Sequence, residues 1–250
     1  MTHELFRQDS YLRECHSTVL AIGGQGIELD QTAFYPLGGG QAGDSGMLVL
    51  ADGSELAIAD TRKGKDAQGR FTGSICHQPA EGAKARLADL RVGDVVMARV
   101  DWQRRHRLMR FHTTTHLLCH LVPQLVNGCS ITADYARLDF NMTDPLDKDA
   151  LTAGIARLVA AAYSVSVGSI SDEELDANPA LVKSMSVQPP RGTGRIRTIR
   201  IGEGDLIDYQ PCGGTHVANT AEIGQVVVTK IEKKSATTRR VVLGFASAGT

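Results

Sequence analysis

The chain has 250 residues, 42% of them hydrophobic, and a formal net charge of −1. This length suffices for one large domain or two modest ones, and the near-neutral charge means that any nucleic-acid contact must come from local basic patches. Five scattered cysteines argue against a disulfide framework, the N-terminus lacks the apolar region of a signal peptide, and no apolar run is long enough to span a membrane, so we expect a cytoplasmic protein without a membrane partner.

The first 95 residues are rich in predicted strands. Short apolar runs such as STVLAIGG and GMLVLADG are separated by glycine and Asp-Gly turn signals, and Asp52-Gly53 predicts the turn of a hairpin. Many short strands at close spacing are typical of a small barrel or sandwich. We therefore expect a small β-rich, barrel-like N-terminal domain over residues 1–95.

The pattern changes over residues 96–250. DWQRRHRLMRFHTTTHLLCHLV has apolar residues at helical spacing and predicts a helix that ends near Pro123. YARLDFN alternates like a strand, and helices are expected in DPLDKDALTAGIARLVAAAYS and in SDEELDANPAL. The strand-like runs RIRTIRIG, QVVVTKIEKK and RRVVLGFA predict a sheet. Without regular βαβ alternation, the predicted class is α+β.

Two short motifs carry metal-ligating side chains. His112 and His116 lie four residues apart on one face of the predicted helix, so both can bind one metal ion. Cys212 and His216 are also four residues apart, but they flank Gly213-Gly214, and glycines disfavour a helix and permit a tight loop. Brought together by the fold, the two pairs make a plausible tetrahedral site for Zn²⁺.

Other interpretations of these residues stay open. The metal could be structural and not catalytic, or the histidines and the cysteine could lie in unrelated places. His120 and Cys119 continue the same helical stripe, but one helix rarely gives three ligands to a single ion, so we assign both to packing or to the outer layer of the site. Thr113 and Thr114 are expected to be ordinary surface or helix-flank residues.

HTTTH, followed about a hundred residues later by QPCGGTHVANTAEIG, resembles the editing domain of alanyl-tRNA synthetase. The chain is still more similar to the free-standing alanyl-tRNA editing proteins of the AlaX family. AFYPLGGGQAGDSG resembles the glycine-rich signature that precedes the editing core in that family, and ARLDFNM resembles the strand that follows its first histidine pair. The resemblance covers residues from about 25 to 245.

The resemblance implies an aminoacyl-tRNA deacylase that hydrolyses the ester of mischarged alanine tRNA, with Ser-tRNA(Ala) and Gly-tRNA(Ala) as the expected substrates. It implies one Zn²⁺ per chain, held by the four residues of the two motifs. It also implies that Thr115 handles the side chain of the amino acid. Alternatives from other classes are a non-catalytic, zinc-stabilised RNA-binding module and a zinc hydrolase that acts on small esters or amides.

Further residues are expected to bind substrate. PLGGGQAGDSG lacks the GK[ST] ending of a phosphate loop, so we interpret it as a packed turn that closes over the editing pocket, with Gln41 and Asp44 as polar contacts. Ser130 stands where many relatives carry a glutamine. The remaining candidates lie in the loop of the second motif: Gly213, Gly214 and Thr215.

Basic residues cluster in three places that flank the proposed ester site. Charge runs are usually solvated faces, but next to such a site they become candidate phosphate contacts for the acceptor stem of a tRNA. The predicted tRNA-binding residues are Arg104, Arg105, Arg195, Arg197, Lys233, Lys234, Arg239 and Arg240. The sequence makes no prediction of oligomeric state.

Overall fold

A computed structural model of the chain describes residues 1–192 and 194–246. The chain forms two compact units. Unit 1 comprises residues 1–38 and 42–106, and unit 2 comprises residues 39–41 together with the chain from Arg107 onward. Helices and sheets are both present, which confirms the mixed α and β composition. The predicted domain boundary at residue 95 stays a prediction.

Unit 1 is built from short strands. They are β1 (His3–Glu4), β2 (Glu14–Gly23), β3 (Gly26–Leu29), β4 (Gln31–Thr32), β5 (Gly46–Val49), β6 (Glu55–Lys65), β7 (Phe71–Pro79) and β8 (Val95–Val100). Six of them form a closed barrel in the order β2-β3-β7-β6-β5-β8, and β8 pairs back onto β2. Burial alternates along β8, where Val96, Ala98 and Val100 are buried, as expected for side chains that point alternately to the two faces of a sheet.

The hairpin predicted at Asp52-Gly53 is present. Strands β5 and β6 pair from Gly46↔Ile58 to Val49↔Glu55 on either side of this turn. Gly53 has a φ of 82°, a conformation that glycine adopts without a steric penalty.

Helix α1 (Trp102–Leu121) begins in unit 1, and its residues from Arg107 onward belong to unit 2. It ends two residues before Pro123, which confirms the predicted end. Every residue from Phe111 to Cys119 is buried, including two histidines and three threonines. Buried polar groups need hydrogen-bond partners. Thr114 and Thr115 donate to backbone carbonyls of α1 itself, so the remaining polar side chains of this stretch need partners from other segments.

Unit 2 contains two antiparallel sheets, most of α1 and two further α-helices within the described residues. The elements are β9 (Val126–Ile131), β10 (Ala136–Asn141), α2 (Lys148–Ala160), β11 (Val165–Ile170), α3 (Asp172–Ala177), β12 (Ile196–Ile201), β13 (Asp208–Pro211), β14 (Val226–Ser235) and β15 (Thr238–Phe245). Both predicted helices are confirmed: Asp147 caps α2, and Ser171 with Glu174 forms a capping box on α3.

The prediction that RIRTIRIG shares a sheet with the two last strand-like runs is wrong. Strands β14 and β15 belong to a sheet of order β14-β15-β10-β9, whereas β12 lies in the separate sheet β11-β12-β13. The reason is that β11 and β13 occupy both edges of β12. The second sheet ends its last strand at Pro211, directly before Cys212.

Within residues 1–192 and 194–246, no helix is both long and apolar enough to cross a membrane. The predicted cellular compartment stays a prediction.

Unit 1 contains a fully buried histidine that gives a first testable prediction. His77 Nε2 lies 2.8 Å from Thr32 Oγ1, and its Nδ1 lies 3.0 Å from the carbonyl oxygen of Ile27. Burial lowers the pKa of His77 from 6.5 to about 4. Between these two pKa values the unfolded chain binds a proton at His77 and the folded chain does not. The contribution of His77 to the free energy of unfolding is therefore fully present above pH 6.5 and is lost as the pH falls towards 4.

Because of this histidine, we expect the free energy of unfolding to fall by about 2 kcal/mol when the pH is lowered from 7 to 5. The measurement is urea denaturation followed by the fluorescence of Trp102, the single tryptophan, which lies in unit 1. His77→Gln should remove this part of the pH dependence, and the exposed control His16→Gln should keep it. Equal pH dependence in all three proteins would contradict the assignment.

Candidate metal centre

The four side chains of the two motifs come together in unit 2. The ligand atoms of His112, His116, Cys212 and His216 all lie within 4.8 Å of one another. Cys212 Sγ is 3.5 Å from His112 Nε2 and 3.3 Å from His216 Nε2. A tetrahedral ion with bonds of about 2.0–2.3 Å separates neighbouring donors by about 3.3–3.7 Å, so these distances fit one shared ion.

Helix α1 supplies the first pair. His112 and His116 lie one turn apart, with ring centroids separated by 5.5 Å, and both rings lie within 4.3–4.6 Å of the ring of His216. Cys119 is buried outside the cluster, as expected, whereas His120 is exposed on the solvent side of the helix. The helix therefore contributes two donors to the cluster and not three.

The second pair lies on the loop that follows β13, and glycine is required there. A Cβ atom on Gly214 would lie 2.1 Å from His112 Cε1 and 2.4 Å from His112 Nδ1. Arg197 Nη1 donates to the carbonyl oxygens of Cys212, at 2.7 Å, and of Gly214, at 2.9 Å. The half-buried guanidinium of Arg197, predicted to bind tRNA, thus holds the metal-binding loop in place.

Gln41 holds His112 from outside the cluster. Gln41 Oε1 lies 2.7 Å from His112 Nδ1 and accepts from the backbone N–H of Thr215 at 3.1 Å, while Gln41 Nε2 donates to Thr215 Oγ1 at 2.9 Å. These bonds fix the orientation of the fully buried amide. Gln41 therefore contacts the imidazole of His112 and the loop at Thr215. Its predicted role in binding substrate stays a proposal.

The other two imidazoles also have partners on Nδ1. His116 Nδ1 lies 2.7 Å from Asp208 Oδ2, and His216 Nδ1 lies 3.2 Å from Thr113 Oγ1. Asp208 is in turn paired with Lys183 and accepts from Gln210 Nε2 at 2.9 Å. Outer partners of this kind orient metal ligands and fix the tautomer of each histidine.

Our sequence reasoning missed these outer partners. Thr113 is fully buried against His216, so the expectation that it is a surface or helix-flank residue is wrong, and Thr114 is buried as well. For Asp208 and Gln210 a signal existed: they are alternate residues of β13, four and two positions before Cys212, and alternate residues of a strand face the same side. Lys183 had no comparable signal.

The electrostatics of the cluster favour cation binding. Burial alone would raise the pKa of the Cys212 thiol, but attraction and hydrogen bonds from His112 and the neighbouring imidazoles lower it well below its ordinary value. Burial alone would lower the pKa of His116, and the hydrogen bonds with Asp208 and Cys212 raise it to about 9. The thiolate is the metal-binding form of cysteine, and three imidazoles with one thiolate suit a metal of borderline softness.

The remaining predicted substrate residues in unit 2 lie on α1, on β9 and in the loop. Thr115 is buried, and its hydroxyl donates to the carbonyl oxygen of His112 at 2.7 Å. Ser130 is half-buried on β9, Gly213 is exposed and Thr215 is buried. Their contacts with substrate stay proposals.

Two predicted functional residues have a structural role in unit 1. Arg105 Nε donates to Asp44 Oδ2 at 2.8 Å, and Arg105 also donates to the carbonyl oxygens of Ala33 and Ser10. Arg105 and Asp44 are 0% and 1% exposed. The two side chains are buried, and each charge is paired with the other. We therefore correct Arg105 from a phosphate contact, and Asp44 from a substrate contact, to the members of a buried ion pair.

The other predicted tRNA-binding residues differ in burial and in the number of contacts that they make with protein atoms. Arg239 is buried and donates to backbone carbonyls, including that of Ser235 at 3.1 Å, so we also correct it to a structural residue. Arg240 makes a two-bond pair with Asp139, at 2.7 and 2.8 Å. Arg104 donates to the carbonyl oxygen of Gly43, Arg195 donates to Ser169, and Lys233 and Lys234 are exposed at the end of β14.

Comparison with known proteins gives consistent matches. Residues 196–242 match the family described as the threonyl and alanyl tRNA synthetase second additional domain. The alanyl-tRNA editing protein AlaX-M of Saccharolobus solfataricus is 34% identical over 245 residues, which cover 96% of this chain and 98% of that protein. The AlaX-M protein of Methanosarcina mazei is 32% identical over 254 residues, covering 96% and 95%. An alanine–tRNA ligase of Saccharolobus islandicus is 31% identical over 246 residues, covering 93% of this chain but 25% of the ligase.

The close approach of Gly214 to His112 gives the second prediction. Gly214→Ala should displace either the loop or the His112 ring, because the added carbon would overlap the imidazole. We expect metal affinity, measured by competition with a chromophoric chelator, to fall by about tenfold or more, the size of effect known for disturbed ligand orientation. The matched control is Gly204→Ala, where the added carbon meets no atom within 4 Å. Unchanged metal affinity in Gly214→Ala would show that this packing does not position the ligands.

Proposed function

The chain belongs to the family of alanyl-tRNA editing proteins of the AlaX-M type, and from this membership we propose that it is a trans-editing deacylase. Its substrate would be alanine tRNA that carries the wrong amino acid, Ser-tRNA(Ala) first and Gly-tRNA(Ala) second. The reaction is hydrolysis of the ester between the amino acid and the terminal ribose. The observation that supports this most is the buried cluster of three histidines and one cysteine, made by distant motifs in a chain of this family.

We further propose that the cluster holds one Zn²⁺ per chain. The donor set, the two sulfur-to-nitrogen separations of 3.3 and 3.5 Å, and the occupied Nδ1 atoms all suit zinc. Zinc in such a site can polarise an ester carbonyl or lower the pKa of a bound water.

The protein's own residues would perform the remaining work. Cys212 and the three imidazoles would hold the ion, while Gln41 and Asp208 fix the rings of His112 and His116, and Arg197 holds the loop backbone. Gly213 is the exposed residue of that loop, so its backbone can approach the substrate. An aminoacyl ester is already activated, so modest catalysis suffices.

Discrimination would depend on hydroxyl groups beside the cluster. The Thr115 hydroxyl donates its proton to the carbonyl oxygen of His112, which leaves oxygen lone pairs able to accept from the hydroxyl of a serine substrate. A site that forms such a bond rejects an alanine that cannot make it, so correct Ala-tRNA would be spared. Ser130 is the second candidate for this role.

The proposed tRNA contacts now centre on Lys233 and Lys234. Both are exposed, and within residues 1–192 and 194–246 neither side chain makes a hydrogen bond or an ion pair with the protein. Arg104, Arg195 and Arg240 remain secondary candidates, because their guanidinium groups already donate to protein atoms.

Removing the thiolate should abolish editing. For Cys212→Ala we expect the loss of stoichiometric zinc and a fall in serine release from Ser-tRNA(Ala) of about 100-fold or more, since zinc supplies several kcal/mol of transition-state stabilisation. Metal analysis and a deacylation assay with and without chelator measure both effects. Cys15→Ala, in unit 1, is the control.

Three results would contradict the proposal, each in a different way. Full activity and full zinc content in Cys212→Ala would exclude the cluster as the active metal site. Zinc and tRNA binding without serine release would favour a non-catalytic RNA-binding module. Turnover of small esters that lack tRNA would favour a different zinc hydrolase.

The lysine pair gives a separate prediction. In Lys233→Ala/Lys234→Ala we expect weaker tRNA binding and a salt dependence reduced by about one unit of slope per lysine, because each lysine would displace counterions from a phosphate. Titrations over a range of salt concentrations measure the slope. The matched double variant Lys84→Ala/Arg86→Ala, exposed in unit 1, should bind like the wild type. An unchanged slope in the first variant would remove these lysines from the interface.

A further inference from the structure

The outer layer of the cluster contains a charged pair that no motif predicted. Lys183 and Asp208 form an ion pair, and Asp208 is hydrogen-bonded to His116. We propose that this pair is a tautomer lock on His116: it keeps a proton on Nδ1, so that Nε2 presents its lone pair to the metal. The lock rests on the metal-binding part of the proposed function and does not depend on deacylation.

The hydrogen bond to Asp208 decides which nitrogen carries the proton. An ionised carboxylate can accept hydrogen bonds but cannot donate them, so His116 Nδ1 must be the donor across the 2.7 Å to Asp208 Oδ2. A metal-bound histidine carries one ring proton. With that proton on Nδ1, Nε2 is left free for the cluster, and the lock therefore selects the tautomer that can bind a metal.

Lys183 contacts one carboxylate oxygen of Asp208 and leaves the other oxygen to accept from His116. Its ammonium group lies against Asp208 Oδ1, and an ammonium group can only donate. Gln210 Nε2 donates to the other oxygen, Oδ2, at 2.9 Å. The side chain of Asp208 is fully enclosed, so Lys183 also supplies the compensating charge that a buried carboxylate needs.

Lys183 is itself held in place by the backbone. The N–H of Val126, the first residue of β9, donates to the carbonyl oxygen of Lys183 at 2.8 Å, and the N–H of Met185 donates to the carbonyl oxygen of Val126 at 2.9 Å. These bonds pair the backbone at Lys183 and at Met185 with the first residue of β9. The lysine side chain, 26% exposed, extends from this paired backbone to Asp208.

The lock can be tested with a substitution that keeps the shape and changes the hydrogen bonding. In Asp208→Asn the amide has one accepting end and one donating end. Lys183 can only donate, so the amide oxygen must face it, and the amide nitrogen then faces His116 Nδ1. To accept from that nitrogen, His116 would have to move its proton to Nε2, which blocks metal binding.

Removing the lysine as well should release the amide. In Asp208→Asn/Lys183→Met the amide can turn its oxygen towards His116 Nδ1 and Gln210, which restores an acceptor at the place of Asp208 Oδ2. The second substitution, although it removes another polar group near the site, should therefore recover metal affinity. A role of Asp208 in general stability alone does not predict this recovery.

The experiment measures zinc affinity by competition with a chromophoric chelator in four variants and the wild type. We expect Asp208→Asn to bind zinc about 10–100-fold more weakly than the wild type, and the double variant to regain most of that loss. Lys183→Met alone should lose less than Asp208→Asn, because the carboxylate still accepts from His116. The matched control Asp139→Asn breaks an ion pair with Arg240 in the same unit and should bind zinc like the wild type.

Each outcome bears on the lock separately from the proposed function. Equal or weaker binding by the double variant than by Asp208→Asn, with both proteins folded by circular dichroism, would overturn the lock. Wild-type affinity in Asp208→Asn would overturn it too. Failure of the wild type to release serine, with zinc affinity following the expected order, would overturn deacylation and leave the lock intact.

Discussion

The central constraint on unit 2 is that a fully buried stretch of helix carries polar side chains that must be paired. Within Phe111–Cys119, two imidazoles and a threonine point towards partners that come from far away in the sequence. Gln41 pairs with His112, Asp208 with His116, and Thr113 with His216. These bonds engage each Nδ1 from outside the cluster and leave each Nε2 for its centre, so the same contacts that satisfy the buried helix also orient the side chains of the candidate metal site.

This constraint explains why the glycine-rich segment is divided between the units. Residues 39–41 belong to unit 2, although the chain on both sides of them belongs to unit 1. Ile131 N donates to the carbonyl oxygen of Gly40, and a Cβ on Gly40 would lie 3.0 Å from Cys129 Sγ. The close approach of this backbone to β9 is what brings the amide of Gln41 to His112.

Sequence reasoning succeeded where the signal is local and failed where it depends on tertiary contacts. The periodicity of α1, the helical run of α2 and the Asp52-Gly53 turn are local, and the structure confirms all three. The pairing of β12 is non-local, because which strand edges meet is decided by the whole fold, and our prediction of its sheet was wrong. Composition could not separate Arg105, enclosed with Asp44, from Lys233, which is exposed, since both occur in basic runs.

The four members of the histidine–cysteine cluster were candidates from the sequence because each pair lies in a short motif, and the structure brings the two pairs together. Of their outer partners, Gln41 lies in the glycine-rich segment and was expected as a polar contact, whereas Asp208 and Lys183 were not predicted. The consequence for function is that residues outside the two ligand pairs take part in orienting the ligands. Membership of the AlaX-M family indicates alanyl-tRNA editing, and the geometry indicates where in this chain the chemistry would occur.

The most direct test of the account is zinc K-edge X-ray absorption on the purified full-length protein. If the three imidazoles and the thiolate hold the ion, the spectrum should show about three nitrogen ligands near 2.0 Å and one sulfur ligand near 2.3 Å. A zinc shell without sulfur, or one made of oxygen ligands alone, would contradict the proposed centre.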